Sequence, residues 1–430
     1  MRRHRRIAAL AAAVALAGAA DAPAATPCQD SMTTAVPQPT AARLDAAGLG
    51  RLPLAPAARR VDLVAPPFSS STSITNPLFP ISSLRSAILN GRADGRRLKI
   101  ETTLLPDTRV IEWRPGQCVR TLVSQFVAYR GGRILEVALD FYAQADDGSV
   151  WYFGEDVFNY RRGVINDTAG SWLAGKEGPA AMIMPAQPGP GMVYRPENVP
   201  GLVFEEVAVK RSGVTVQGPR GPVAGAIVAG ELHDDGSRED KYFAPGYGEF
   251  RSAGDSDLEA LALAVPADAR PGPTPSELTT LERDAGAVLR GRRAAVGRMR
   301  DAWRALQRRS VPRRLAAEMT RALARPRRSA FAVADAALDL QLQYRPPERI
   351  DLERFQLWAR RARVDATAGS LAAVRGDAAT LTWIRDRIAR SLDPVALARL
   401  DRRLGALESA AADGEPAAAA EAAAALARGA

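Results

Sequence analysis

Apolar and polar positions alternate with a period of two through the middle of the chain, then with a helical period to its end. The clearest alternation covers 134–144. Leu135, Val137, Leu139, Phe141 and Ala143 fall on one face, and Glu136, Asp140, Tyr142 and Gln144 on the other. That pattern predicts a half-buried antiparallel strand. Segments 118–130 and 150–160 have strand composition, and the signal returns over 206–217, 223–233 and 240–250. Asn90-Gly91, Asp94-Gly95, Gly131-Gly132 and Asp147-Gly148 read as turns. The Pro- and Gly-rich stretch 185–201 reads as an excursion from the sheet that covers one face.

Pro266, Pro271, Pro273 and Pro275 mark a linker over 253–276. Beyond it, Leu278, Leu281, Ala285, Val288, Ala295, Met299, Ala302 and Leu306 keep three–four spacing, which predicts one helix ended by Pro312. Pro326 closes a second. Further helices are predicted over 331–345 and 351–368, from Ser370, from Asp393-Pro394, and over 415–428. The expected fold is α+β: an antiparallel β-sheet domain at 61–252, as a curved sheet, sandwich or partial barrel, followed by an all-α helical bundle at 277–430 with up-and-down connections.

The start of the chain reads differently. Arg2, Arg3, Arg5 and Arg6 precede an apolar run over 7–20, and Ala22-Pro23-Ala24 has the form of a cleavage site. Residues 1–24 are therefore expected to be a signal peptide, and 25–60 a flexible Ala/Pro-rich arm. Export implies a periplasmic, cell-envelope or extracellular location. In that oxidising setting Cys28 and Cys118 are expected to form a disulfide. No later apolar run is long enough for a transmembrane segment in the mature chain.

The chain carries 58 Lys and Arg against 48 Asp and Glu, a formal net charge of +10. The excess concentrates in 283–328, where 15 arginines meet only Asp284, Asp301 and Glu318. In an exported protein this predicts docking to an anionic envelope polymer, lipid headgroups or an acidic protein, with no nucleic acid expected. Arg292, Arg293, Arg300, Arg308, Arg309, Arg313 and Arg314 are the candidate contacts; the alternative is a solvated helix face. Asp335 and Asp339, one helical turn apart, are placed to receive some of these arginines or bind a cation.

Catalytic motifs are sparse. The two histidines are His4, in the expected signal, and His233, which precedes Asp234-Asp235-Gly236 and reads as a surface turn residue. There is no G-x-S-x-G elbow, no Walker A loop and no strand-linked G-x-G-x-x-G. If Asp147-Gly148 form a two-residue type I′ turn, Gln144 faces Trp151, Tyr142 faces Phe153 and Asp140 faces Glu155. Facing carboxylates repel and need a cation, a basic side chain or a shared proton. The pair Asp140 and Glu155 thus reads as a Ca²⁺-like cation site, as the acid/base pair of a secreted hydrolase, or as a salt-bridge cluster with Lys241 or an Arg. With the aromatic stripe, the candidate ligand-binding residues are Asp140, Tyr142, Trp151, Phe153 and Glu155. Asp146-Asp147-Gly148 opens like a calcium loop but lacks the later acids, so it reads as a turn.

The same hairpin carries a resemblance. D-F-Y-A-Q at 140–144 and G-S-V-W-Y-F-G-E at 148–155 join I-T-N-P at 74–77, Gly170-Ser171-Trp172, Ala174-Gly175 and Y-F-A-P-G-Y-G at 242–248. Together they resemble a family of secreted bacterial proteins with no assigned activity. The resemblance spans 74–250 and implies only a secreted β domain; no catalytic residues are carried over from it. The expected function is that of an exported, non-catalytic binding or envelope-associated protein. Its β domain holds a ligand or ion and its basic helices dock to an anionic surface or partner. A secreted hydrolase and a purely structural envelope protein are the alternatives.

Overall fold

The computed structural model describes residues 32–93, 95–254 and 257–429. The expected signal peptide lies outside the described residues, as does Cys28, and with Cys28 the expected disulfide. Cys118 lies half-buried on a strand of the main sheet. No described helix is long and apolar enough to cross a membrane.

The described chain opens with a two-residue ladder between β1 (Thr34–Ala35) and β2 (Val64–Ala65), flanking α1 (Ala41–Ala46). Residues 32–60 are not a free arm. Leu49 is fully buried, and the Ala55 amide donates to Glu206 Oε1 at 2.8 Å, so this segment packs onto the sheet.

Fourteen antiparallel strands form one sheet. They are β3 (Ser86–Ala93), β4 (Arg96–Arg114), β5 (Gln117–Arg130), β6 (Arg133–Gln144), β7 (Val150–Arg161), β8 (Val164–Asp167), β9 (Trp172–Leu173), β10 (Ala181–Met184), β11 (Val193–Val199), β12 (Val203–Gly218), β13 (Gly221–His233), β14 (Arg238–Ala244), β15 (Gly248–Gly254) and β16 (Asp257–Val265). The order is β10-β7-β6-β5-β4-β3-β16-β15-β14-β13-β12-β11, with β8 and β9 also pairing β7. The sheet is curled but not closed. Its end strands β10 and β11 lie against each other, and Glu155 of β7 hydrogen-bonds Glu197 of β11.

Four expectations need correction. Asn90-Gly91 is not a turn but part of β3. A Cβ on Gly91 would lie 1.6 Å from the Leu258 carbonyl oxygen, so glycine permits the close approach of β16. The expected linker 253–276 contains β16, which sits between β3 and β15 in mid-sheet. Segment 240–250 is a hairpin, β14 and β15, turning at Pro245-Gly246. The expected excursion 185–201 contains the edge strand β11.

Eight helices follow: α2 (Ser276–Leu289), α3 (Ala295–Leu306), α4 (Arg313–Ala324), α5 (Ala330–Gln341), α6 (Pro347–Thr367), α7 (Leu371–Ile388), α8 (Pro394–Asp413) and α9 (Pro416–Ala427). The single helix expected over 278–306 is two, separated at Gly291, whose φ is +84°. Asp393 caps α8 as expected, accepting from the Val395 and Ala396 amides at 2.9 Å.

The helices cover one face of the sheet. Val127, Tyr129, Ile134 and Val137 pack with Phe355, Trp358, Leu381 and Ile384, and Tyr129 stacks on Trp358 with centroids 5.6 Å apart. Ile88, Leu263 and Val265 pack with Leu281, Leu315 and Leu338. Each fully buried side chain of this size contributes about 1.5–3 kcal/mol. An ionic network threads the same seam. Lys99 reaches Glu101, Asp335 and Asp339 at 3.0, 2.8 and 2.9 Å, Arg354 reaches Asp339 and Asp351 at 2.7 and 2.8 Å, and Arg387 reaches Glu101 at 2.9 Å. Asp335 and Asp339 thus serve Lys99 and Arg354 rather than the arginines of 283–328.

The opposite face is covered too. Residues 66–85 carry no long strand, but Phe68, Ile74, Leu78, Phe79, Ile81 and Leu84 are buried against the curled sheet. The polar face expected for β6 is therefore an interior: Asp140 is only 8% exposed and Tyr142 9%.

Candidate functional site: an acid-rich sheet interior

The β6–β7 hairpin turns through Ala145–Ser149, with Gly148 N donating to the Ala145 carbonyl at 2.9 Å and Gly148 at φ +90°. This three-residue turn with a left-handed glycine replaces the expected two-residue turn and shifts the nearby register by one. Gln144 faces Val150, Ala143 faces Trp151, and Tyr142 faces Tyr152. A bulge opposite Phe141 takes up Phe153 and Gly154 and restores the predicted pair, Asp140 facing Glu155.

The shift sorts the candidate residues. Asp140, Tyr142 and Glu155 stay together, joined by Tyr152, whose hydroxyl donates to Asp140 Oδ1 at 2.7 Å and whose ring stacks on Tyr142 at 4.8 Å. Trp151 and Phe153 do not share that face. Both are fully buried against Phe68, at 6.3 and 5.3 Å between centroids, and Phe153 also meets Trp113. They build core.

The curl of the sheet gathers more acids around this pair. Glu197 on β11 lies beside Glu155 and faces Glu205 on β12, which faces His233 on β13. Glu231 faces Glu239, and Glu249 and Glu259 stand on β15 and β16. The cations among them are Lys241, 2.6 Å from Glu231, and His233, 3.4 Å from Glu205. Lys241 does not partner Asp140 or Glu155 as expected.

Burial sets the protonation of this interior. It pushes Asp140 up to about 7, reinforced by Glu136, against the pull of the Tyr152 and Tyr142 hydroxyls. Burial and then Asp140 push Glu155 to about 8. Burial, Glu205 and Glu155 hold Glu197 well above the carboxylate range, so Glu197 keeps its proton and donates to Glu155. Burial and Glu249 bring Glu259 to about 8, and burial raises Glu249 itself. Glu205 is the exception: against the effect of burial, Lys241 and the His233 hydrogen bond bring it down to about 2. That hydrogen bond raises His233.

A cavity of about 110 Å³ opens into this interior. Phe79, Leu89, Ile100, Phe126 and Tyr142 supply apolar wall; Asp140, Glu249 and Glu259 supply carboxyls; Thr102 and Ser124 supply hydroxyls. Glu155 does not line it. Among the described residues, neither the Glu249 nor the Glu259 carboxyl makes a hydrogen bond or an ion pair, although Lys241 stands near enough to act on both.

Other candidates resolve simply. Asp146 accepts from the Ser69 amide and hydroxyl, both at 2.8 Å, and Asp147 from the Ser149 amide at 2.8 Å, so this segment is a turn. The carboxylates of Glu205 and Glu231 with the His233 ring form a group of ligand type, their atoms within 4.8 Å of one another, but Lys241 already supplies positive charge there. The trio Glu101, Asp335 and Asp339 holds Lys99 in the same way. Arg292, Arg293, Arg300, Arg308 and Arg313 are exposed, Arg314 is half-buried, and Arg309 reaches Glu277 at 3.2 Å.

The hairpin motif also has a local role. Gln144 Oε1 accepts from the Thr75 and Asn76 amides at 2.8 and 2.9 Å, and Asn76 Nδ2 donates to the Gly148 and Pro185 carbonyls at 3.0 Å. The Gly246 amide donates to the Pro77 carbonyl at 2.8 Å. Three distant motif segments thereby clamp the 66–85 segment over the interior. No protein-family model matches the chain, and no curated protein matches it in sequence.

Proposed function

We propose that the protein is a non-catalytic binding protein whose sheet interior takes a small organic ammonium ion beside Asp140, Glu249 and Glu259. One observation carries the reading. Among the described residues, the Glu249 and Glu259 carboxyls face a largely apolar cavity with no ion pair or hydrogen bond of their own, and Lys241 acts on both only from a distance. An ammonium group supplies the missing charge and donors, and an apolar body fits Phe79, Phe126 and Tyr142, whose ring faces favour a cation. A metal ion is a poorer match, because calcium takes six to eight oxygens and the wall is mostly carbon. Only Asp140 of the facing pair lines the cavity, which favours binding over two-carboxylate hydrolysis. Export and docking of the exposed arginines to an anionic envelope surface belong to the same reading.

Calorimetric titration with benzylammonium tests it, with benzyl alcohol as the neutral isostere. Saturable binding of the cation alone is expected, tighter at about pH 8.5 than at about pH 6, because the guest favours ionised carboxyls. Glu249→Gln and Glu259→Gln should each weaken it at least about tenfold. Equal binding of the alcohol, or no heat at millimolar benzylammonium, overturns the reading.

A further inference from the structure

A second cleft, of about 750 Å³, lies between the N-terminal end of α4 and strands β12, β14, β15 and β16. Three guanidinium groups line it: Arg251 from β15, and Arg313 and Arg314 from α4. No ion pair ties any of the three to a carboxylate among the described residues. Arg314 spends one N–H on the Asn90 carbonyl at 3.3 Å, and Arg251 lies over the Tyr242 ring, 5.4 Å from its centroid.

Like charges do not gather in a recess without cost. Burial lowers the Arg314 pKa, and the nearby charges of Arg251 and Arg313 lower it further. Elsewhere in this Arg-rich region some cations find acids, as Arg298 reaches Asp284 at 2.8 Å and Arg309 reaches Glu277 at 3.2 Å, and others point into solvent, as Arg292, Arg293, Arg300 and Arg308 do. The cleft differs in having cations from two separate elements converge on empty volume. The first turn of α4 adds to the field, since Pro312 provides no side-chain cap and the turn holds no acid. Tyr242, Val216 and Ala262 give the recess an apolar wall beside the charges.

We propose that this cleft binds a small organic phosphate. Its phosphoryl oxygens are held between Arg251, Arg313 and Arg314, and its apolar part lies along Tyr242. Guanidinium forks match phosphate oxygens in pairs, and a dianion offsets the repulsion of three converging cations where a monovalent carboxylate offsets less. The site is separate from the acid-rich interior, takes the opposite charge, and stands or falls independently of it.

Titration of the full chain with phenyl phosphate tests this, against phenol as the uncharged analogue. Saturable binding of the phosphate alone is expected, weakening with added salt. Arg251→Gln and Arg314→Gln, on different elements, should each cost at least about tenfold in affinity with circular dichroism unchanged. Arg304→Gln, on the exposed side of α3 and paired with Asp301, should bind as wild type. Unaltered phenyl phosphate binding in the Arg251→Gln/Arg314→Gln double variant, or no binding at millimolar concentration, overturns the proposal. Phosphatidate vesicles separate the two sources of phosphate. Cosedimentation that the double variant abolishes and phenyl phosphate cannot compete away would overturn the soluble occupant.

Discussion

The Lys99 ammonium on β4 sits 2.8 Å from the Asp335 carboxylate on α5, across the seam between sheet and helices. Both are buried, and Asp339 and Glu101 lie within 3.0 Å of the same nitrogen. Lys99→Met leaves these acids facing one another with one cation fewer. A loss of about 3–5 kcal/mol is expected, measured by urea denaturation. Asp301→Asn, which breaks only the exposed pair with Arg304, should leave the midpoint where it was.

The acid-rich interior makes stability fall as pH rises through neutrality. Asp140 titrates at about 7, and Glu155 and Glu259 at about 8, against ordinary values of 3.8 and 4.5. Between those limits the folded chain holds protons that the unfolded chain has released. Their contribution is complete below the unfolded values and is lost as pH climbs through the folded ones. The melting temperature should therefore drop between about pH 5 and about pH 8.5. Asp140→Asn and Glu259→Gln should each flatten that drop, and a profile that rises over this window contradicts the assignment.

Gly154 permits the bulge that sets Asp140 against Glu155. Its φ is +119°, and a Cβ there would lie 2.2 Å from the Trp172 carbonyl oxygen. Gly154→Ala should cost about 2 kcal/mol or more. Gly297→Ala, in α3 with open space around it, should instead stabilise by about 0.5–1 kcal/mol. Paired thermal melts of the two variants check the contrast.

Gln144 anchors the segment that covers the interior. Gln144→Ala removes the acceptor for the Thr75 and Asn76 amides and should cost about 1–3 kcal/mol. Limited proteolysis should then cut within 66–85 faster than elsewhere; an unchanged digestion pattern would show that the clamp lies elsewhere.

Where one period dominates a segment, the element is legible in the sequence. Strands β5, β6 and β7 and the helices from α4 onward lie close to where spacing put them, because alternation and proline stops act locally. Strand β16 is hidden in the sequence because prolines 266 to 275 lend their composition to the neighbouring apolar run 260–265. That run, covered on both sides, does not alternate. The Tyr142–Tyr152 register escaped because turn type is set by backbone conformation, and Asp-Gly serves more than one. His233 reads as a turn residue from its neighbours in sequence, whereas Glu205 and Glu239 reach it from the flanking strands and Glu231 from two places earlier on its own. The acid-rich interior was illegible for the same reason. Polar positions at a period of two normally mean solvent, and only the curl of the sheet and the 66–85 segment turn that face inward.

The pairing of β3 with β16 joins the first long strand of the sheet to its last. Most strands between them can zip onto a chain neighbour as they leave the ribosome, and β9 and β10 need only reach back to β7, but β3 keeps one side of its backbone unsatisfied until residue 265 has been made. A chain stopped at Gly254 would present that rim, and the bare rim of β15, as templates for any extended polypeptide nearby. Nascent and truncated forms are thus the adhesive ones, and the seam is where self-association of this protein should begin.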